Sequence, residues 1–194
     1  MRETIVHAGD PVLRQRARSL SPGEIHSAEI QNLIEQMREA MRSAPGVGLA
    51  APQVGQSLQL AVIEDRAEYH EDISADLMAE RQRKPVPFQV LINPEIVSRS
   101  DEHKIFFEGC LSVAGFCALV PRSALLHVNY LDQHGLPQSL EVSGWYARIV
   151  QHEVDHLQGT LYIDRMLSRS FTSLDNLAQY WKGEPVERVL ERLK

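Results

Sequence analysis

The stretch Gln151-His152-Glu153-Val154-Asp155-His156-Leu157-Gln158-Gly159 decides how the rest of the chain is read. On an α-helix, residues four apart differ by about 40° around the axis, so His152 and His156 project side by side, one turn apart. Two imidazoles so placed can grip one metal ion. Glu153 points away from that pair, toward a water on the metal rather than the metal itself. This is the H-E-x-x-H arrangement, in which the carboxylate acts as general base. Trp145, Ile149, His152 and His156 step by helical intervals along one face, so the histidines continue an apolar stripe and the helix is expected to be buried. Gly144 precedes that helix and Gly159 follows it as a C′ glycine would. Taken alone, the pattern also fits a core helix with two satisfied histidines.

Working outward, Ile30, Leu33, Ile34, Met37 and Met41 recur at helical spacing, which predicts an amphipathic helix over residues 27–43 started by Ser27 and Glu29 and stopped at Ala44-Pro45-Gly46. Its two methionines read as core residues. Gly46 to Gly55 follows as a run of small residues carrying one amide, Gln53, which is suited to donate to a developing oxyanion if the run lines a cleft. Strands are expected at 58–64, 88–92, 96–99, 117–121, 125–131 and 139–142, with Asp132-Gln133-His134-Gly135 as a hairpin turn. Leu161-Tyr162-Ile163 reads as a short strand, and Val186, Val189, Leu190 and Leu193 as a short docking helix. Residues 1–20 read as an extended surface arm of little chemistry, and 65–87 as a surface insertion. The fold class is therefore α+β, with mostly antiparallel sheets around the central histidine helix, in one domain over residues 1–194.

With a net charge of −6 and no basic patch, the chain does not resemble a DNA or RNA binder. No run is long and apolar enough for a membrane span, and the first residues do not open as a secretory or organellar leader, which points to the cytoplasm. Cys110 and Cys117 in a reducing compartment point to metal or catalytic chemistry rather than a disulfide. A catalytic metal takes three protein ligands and keeps one position open, so a third ligand is needed. Cys110, flanked by Gly109 and Leu111, is the best candidate. Two alternatives stand beside it: a zinc endopeptidase drawing its third ligand from Asp164 or Asp175, and a structural zinc site closed by Cys110, Cys117, His152 and His156.

Three segments, Gly46 to Gln53, Glu108 to Ser112 and His152 to Gly159, resemble in order the G-x-G-L-A-A-x-Q, E-G-C-x-S and H-E-x-D-H motifs of peptide deformylases, and the likeness runs over about residues 1–170. The Ser-Val-Ala-Gly-Phe run after Cys110 and the Ser-Gly-Trp-Tyr-Ala-Arg run before the helix resemble the subclass shared by some bacteria and organelles; with no leader visible, a bacterial cytoplasmic enzyme is expected. The resemblance implies that Cys110, His152 and His156 bind one divalent metal, natively iron(II), with zinc, cobalt or nickel able to replace it. It implies further that Glu153 takes a proton from the metal's water and passes it to the leaving amine, that Gln53 and the Leu111 N–H hold the oxyanion, and that Gly46 and Gly48 bind substrate backbone. The reaction implied is hydrolysis of the formyl group from the N-terminal formyl-methionine of nascent polypeptides, with a transient ribosome contact where they emerge. Phe106 is a candidate for the methionine pocket. Asp155 is expected to position the site through Arg122 or Arg148, and Cys117, where many members are expected to carry a basic residue, to alter the substrate rim. The residues leave oligomeric state open.

Overall fold

A computed structural model describes residues 5–44 and 46–194; residues 1–4 of the expected arm and Pro45 of the expected helix stop lie outside them. The helices are α1 (Pro22–Ile25), α2 (Ala28–Ser43), α3 (Ala75–Glu80), α4 (Gly144–Leu157), α5 (Leu174–Asn176) and α6 (Val186–Arg192). The strands are β1 (Gly48–Ala50), β2 (Leu60–Asp65), β3 (Val86–Arg99), β4 (His103–Cys110), β5 (Val113–Ser123), β6 (Leu125–Leu131), β7 (Pro137–Ser143) and β8 (Thr172–Ser173). They form a five-stranded sheet ordered β1-β2-β3-β6-β7 and a three-stranded sheet ordered β4-β5-β8, with every pairing antiparallel.

Helix α2 forms where the spacing predicts it. The Ser27 hydroxyl accepts from the Ile30 N–H at its start, and Ile30, Leu33, Ile34, Met37 and Met41 bury one face against β1, β2 and β3. Helix α4 packs against strands of both sheets, and its buried surface is wider than the expected stripe: Arg148, Gln151, Glu153 and Asp155 are buried too. A buried charged group is tolerated only when it is paired. Most of the chemistry below is that pairing.

Three expectations are corrected. Asn93-Pro94 does not stop a strand: β3 runs through it, because Asn93 adopts φ +51° at a bulge and its amide clasps both the N–H and the carbonyl of Leu20 at 2.9 and 2.8 Å. Asparagine accepts the left-handed conformation, and proline at a bulge gives up no needed ladder bond. Leu161-Tyr162-Ile163 is not a strand; a 3₁₀ turn spans Tyr162–Asp164, with the Asp164 carboxylate accepting from the Leu161 N–H at 2.8 Å. The insertion lies at the surface as expected; it carries a 3₁₀ turn at Ala67–His70 and the short helix α3, and it is pinned by the fully buried Asp65, which accepts two hydrogen bonds from Arg83 at 2.7 and 2.8 Å.

The arm is the third, in part. Most of its described residues are exposed, as a surface arm requires, but Leu13, Ala17 and Leu20 are buried and its backbone is bonded into the body of the molecule. Val6 N–H donates to the Gln53 carbonyl, Ala8 N–H to the Ser112 carbonyl and Ala17 N–H to the Leu157 carbonyl, at 2.9, 2.8 and 2.9 Å. It thus ties together all three segments that stand out in the sequence. Gly159 lets it pass: its φ is +73°, and a Cβ there would meet the Arg14 carbonyl oxygen at 2.7 Å. The hairpin turn at Asp132, the Val186–Arg192 helix and the core positions of Met37 and Met41 match the sequence reading.

Candidate functional site

Helix α4 brings His152 and His156 to one point, and the end of strand β4 brings Cys110 to the same point. The ligand atoms of these three residues all lie within 4.8 Å of one another, with Cys110 Sγ at 3.3 Å from His156 Nε2. Among the described residues this is the group able to hold a metal. Neither Asp164, which is taken by Arg14 and the Leu161 N–H, nor the exposed Asp175 belongs to it. Cys117 does not either. It faces the interior of β5, where burial pushes its thiol up to about 11, so the buried core explains it rather than the substrate rim.

Two of the donors are oriented by neighbours, Cys110 by the Gln53 amide and His152 by Glu108, whereas the buried His156 Nδ1 has no hydrogen-bond partner among the described residues. His152 Nδ1 lies 3.1 Å from a Glu108 carboxylate oxygen; a carboxylate only accepts, so Nδ1 carries the proton and Nε2 keeps its lone pair for a cation. Burial opposes charge on His152, but the adjacent Cys110 sulfur and Glu108 raise its pKa well above that of an ordinary imidazole, whereas burial and the neighbouring His152 hold His156 well below. Two imidazoles and a sulfur this close compete for protons, which a divalent cation would replace. An S/N donor set of borderline softness suits iron(II), cobalt, nickel or zinc. Tetrahedral ligand atoms sit roughly 3.3–3.6 Å apart; Cys110 Sγ and His156 Nε2 already stand at 3.3 Å, and with its donor chemistry the group fits a metal.

Glu108 is the functional residue that sequence reasoning missed, although it opens the E-G-C motif. Burial pushes its carboxyl up, but hydrogen bonds from His152 and Arg122 win and hold it well below the usual carboxylate range. Arg122 forks onto it at 2.9 and 3.0 Å and also reaches Asp155, which Arg165 grips at 2.6 and 2.7 Å. Arg148 pairs with Glu108 rather than Asp155. Of the two expected partners of Asp155, then, only Arg122 serves, and Arg165 joins it.

The remaining predicted residues converge on a cavity of about 460 Å³ lined by Gly46, Gly48, Gln53, Cys110, Leu111, His152 and Glu153. Gln53 is buried; its carbonyl accepts from the Ala50 N–H at 2.9 Å, which turns its amide NH₂ toward Ser112 Oγ at 3.2 Å and Cys110 Sγ at 3.5 Å. Glu153 is buried as well, and its Oε2 has no hydrogen-bond partner among the described residues. Burial pushes its carboxyl up to about 7. The apolar walls come from Val47, Phe107, Leu111, Trp145 and Ile149. Phe106, expected there, instead packs edge-on behind Trp145 with ring centroids 6.4 Å apart, because alternate residues of β4 face opposite sides. The insertion buttresses this wall: Arg81 and Arg83 lie over the Trp145 ring at 4.8 and 5.2 Å, and the Arg81 carbonyl accepts the Trp145 N–H.

Compared with known families, residues 2–171 match the model described as polypeptide deformylase. The chain belongs to the peptide deformylase family. It is 47% identical over 173 residues, 89% of this chain and 64% of the relative, to peptide deformylase 1A, chloroplastic/mitochondrial, of Arabidopsis thaliana. It therefore spans just under two thirds of that relative's length. To peptide deformylase 3 of Streptomyces avermitilis it is 46% identical over 189 residues, 97% of this chain and 82% of the relative. Among solved structures, the Met-Ala-Ser-bound class I type b peptide deformylase of Acinetobacter baumannii superposes with a TM-score of 0.76 at 31% identity, covering 86% of this chain and 99% of that one. Peptide deformylases thus share the α+β architecture seen here, and no helix among the described residues is long and apolar enough to cross a membrane.

Proposed function

We propose that this chain hydrolyses the formyl group from the amino-terminal formyl-methionine of newly made polypeptides, with iron(II) as the native metal. The observation that carries the reading is the buried carboxylate of Glu153, whose Oε2 has no hydrogen-bond partner among the described residues, beside the donor group Cys110, His152 and His156, in one cavity with the Gln53 amide. A buried carboxylate oxygen without a partner is costly unless it has a task. Cys110 and the two histidines would hold the cation, which, when bound, polarises the formyl carbonyl and lowers the pKa of water toward ~7.

Glu153 Oε2 takes a proton from the attacking water as the water oxygen bonds to the formyl carbon. The carbonyl π pair moves to its oxygen, which the Gln53 NH₂ and the Leu111 N–H stabilise; one such donor contributes about 10²–10³ in rate. The C–N bond then breaks and Glu153 returns the proton to the leaving nitrogen. Formate and a free amino terminus result. Strand β1 is an edge strand, so Gly48, with Gly46 two residues before it, can present backbone groups to an extended substrate, while Val47, Phe107, Trp145 and Ile149 take the methionine side chain. Acting where formylated chains emerge, the protein would meet the ribosome only transiently. A bacterial cytoplasm is the proposed setting, supported by the Streptomyces relative matching 97% of this chain.

The test is formate release from formyl-Met-Ala-Ser by anaerobically prepared protein loaded with iron(II) or cobalt, against Glu153→Ala with its metal content measured. Activity lost while metal stays bound supports the reading. A fully loaded wild type that releases no formate overturns it.

A further inference from the structure

Helix α4 begins without a side-chain cap, since Ser143 at its N-cap position makes no such bond. The surface insertion supplies one from its backbone. The Arg81 carbonyl accepts the Trp145 N–H at 2.9 Å, which satisfies a first-turn donor that the helix itself cannot. The two segments approach so closely that a Cβ on Gly144 would meet Gln82 Cβ at 2.6 Å and the Arg81 carbonyl oxygen at 2.8 Å. That contact needs a left-handed backbone on both sides, Gly144 at φ +58° and Gln82 at φ +49°. The insertion is held in turn by Arg83, whose guanidinium forks onto the buried Asp65.

The same residue reaches the Trp145 side chain. The Arg81 guanidinium lies 4.8 Å from the Trp145 ring centroid and 5.5 Å from that of Phe106, inside the roughly 6 Å over which a cation and a ring face attract. Arg83 and Arg148 also stand at the Trp145 ring, at 5.2 and 6.0 Å, but each is taken by a carboxylate, Asp65 and Glu108. Arg81 Nε, by contrast, is buried with no hydrogen-bond partner among the described residues. Burial and the neighbouring Arg83 bring its guanidinium down to about 10, which leaves it charged at neutral pH. A partly buried cation is costly without compensation, and here the two aromatic faces supply it. Trp145 Nε1 is likewise buried without a partner among the described residues, so what covers the faces of the indole, rather than a hydrogen bond, sets its orientation.

From this double hold we infer that Arg81, which does not itself line the cavity, is a positioning residue that sets the selectivity of the methionine pocket: its carbonyl fixes the start of α4 and its guanidinium fixes the indole of Trp145 as a rigid wall. The inference rests on the deformylase reading. Trp145 lines the cavity with Val47 and Ile149, so the width open to a substrate side chain follows the angle of the indole. With the ring clamped, the pocket admits a slim, unbranched methionine side chain better than a wide aromatic one. With the ring released, the indole turns aside and the wider side chain gains entry. Methionine itself binds less well to a loose wall, because the wall must then be ordered at the moment of binding.

The test compares kcat/KM of metal-loaded protein on formyl-Met-Ala-Ser and formyl-Phe-Ala-Ser. Arg81→Met keeps the length of the stem and Arg81→Gln keeps a planar polar end, while both remove the charge. In each, the methionine-to-phenylalanine ratio is expected to fall about fivefold or more, with the loss on the methionine peptide in KM rather than kcat. Arg81→Lys, which keeps a cation over the ring, is expected to stay within about twofold of wild type. Partial misfolding or metal loss lowers both peptides together and leaves the ratio unchanged. Trp181→Phe makes Trp145 the one remaining tryptophan of the chain, and in that background Arg81→Met is expected to shift its emission to the red and to expose it to acrylamide quenching. A ratio unchanged in both neutral variants, an emission that does not move, or a ratio lost as fully in Arg81→Lys overturns the role of Arg81 while leaving the deformylase reading intact. Wild type that cleaves neither peptide overturns both.

Discussion

Replacing Gly48 by alanine puts the proposed mechanism under strain at one atom. A Cβ built on Gly48 lies 2.2 Å from Glu153 Oε1, 2.7 Å from its Cδ and 3.0 Å from its Cγ. Non-bonded heavy atoms rest at about 3.5 Å, so the Glu153 carboxylate must withdraw by about 1 Å or β1 must move away from α4. Glu153 is buried, its neighbours are packed, and Gly48 pairs with Ile63 of β2, which leaves little room for either adjustment. A misplacement of about 1 Å costs on the order of 10² in rate, equivalent to about 2.7 kcal/mol of transition-state stabilisation. The assay is steady-state formate release by Gly48→Ala at measured metal occupancy. Because the displaced group is the proton carrier, kcat is expected to fall about 100-fold with KM little changed. If KM rises instead and kcat holds, the methyl obstructs substrate backbone rather than Glu153. A kcat within about threefold of wild type at full metal loading refutes the reasoning.

Glu108→Gln, which removes the charge shared by His152, Arg122 and Arg148, is expected to weaken metal affinity by about 10–100-fold, read by competition with a chelator at fixed pH; unchanged affinity would show that the pairing serves only the fold. Asp65→Ala leaves the nearly buried Arg83 without its partner, and an unpaired buried charge costs about 3–5 kcal/mol, so denaturant unfolding should shift by that amount and limited proteolysis should cut first within residues 66–82. The Arg42–Glu64 pair, bonded at 2.7 Å twice, predicts a pH dependence: hydrogen bonding from Arg42 outweighs burial and lowers the Glu64 carboxyl from 4.5. The folded state therefore binds fewer protons than the unfolded one just below pH 4.5, and the stabilisation present above that pH is lost as pH falls through the lowered value. The Tm difference between wild type and Arg42→Met should accordingly be larger at pH 7 than at pH 3, and a constant difference would contradict the assignment.

Much of the candidate site is legible in local patterns because its chemistry is local. His152, Glu153 and His156 share one helix, so spacing alone orients them. Cys110, Gln53 and Gly48 stand out by residue type and by the small residues around them. Glu108 was missed for a physical reason: a glutamate on a strand reads as a solvated charge until the strand is placed, and here the partners that bury it come from α4 and β5, between 14 and 44 residues away in sequence. The arm was misread likewise. Its use lies in backbone hydrogen bonds to Gln53 and Ser112, and backbone groups leave no pattern in the side chains. Asn93-Pro94 resembles a stop because proline commonly ends strands, whereas the Leu20 backbone that holds the bulge arrives 73 residues away.

By itself the sequence determined the α+β class, the amphipathic helices α2 and α4 and the candidacy of His152 and His156 as donors, since each follows from periodicity or from the chemistry a residue type can perform, whereas the third donor stayed open among Cys110, Asp164, Asp175 and Cys117 until the resemblance singled out Cys110. Only the tertiary structure decided that Phe107 rather than Phe106 lines the cavity, that Arg165 joins Arg122 on Asp155, that Glu153 keeps an unpartnered oxygen against Gly48, and that Phe171 and Leu174 return to the cavity mouth. Those facts depend on which distant segments meet. The free energy that brings them together comes from burial and pairing across the whole chain, which no local window contains.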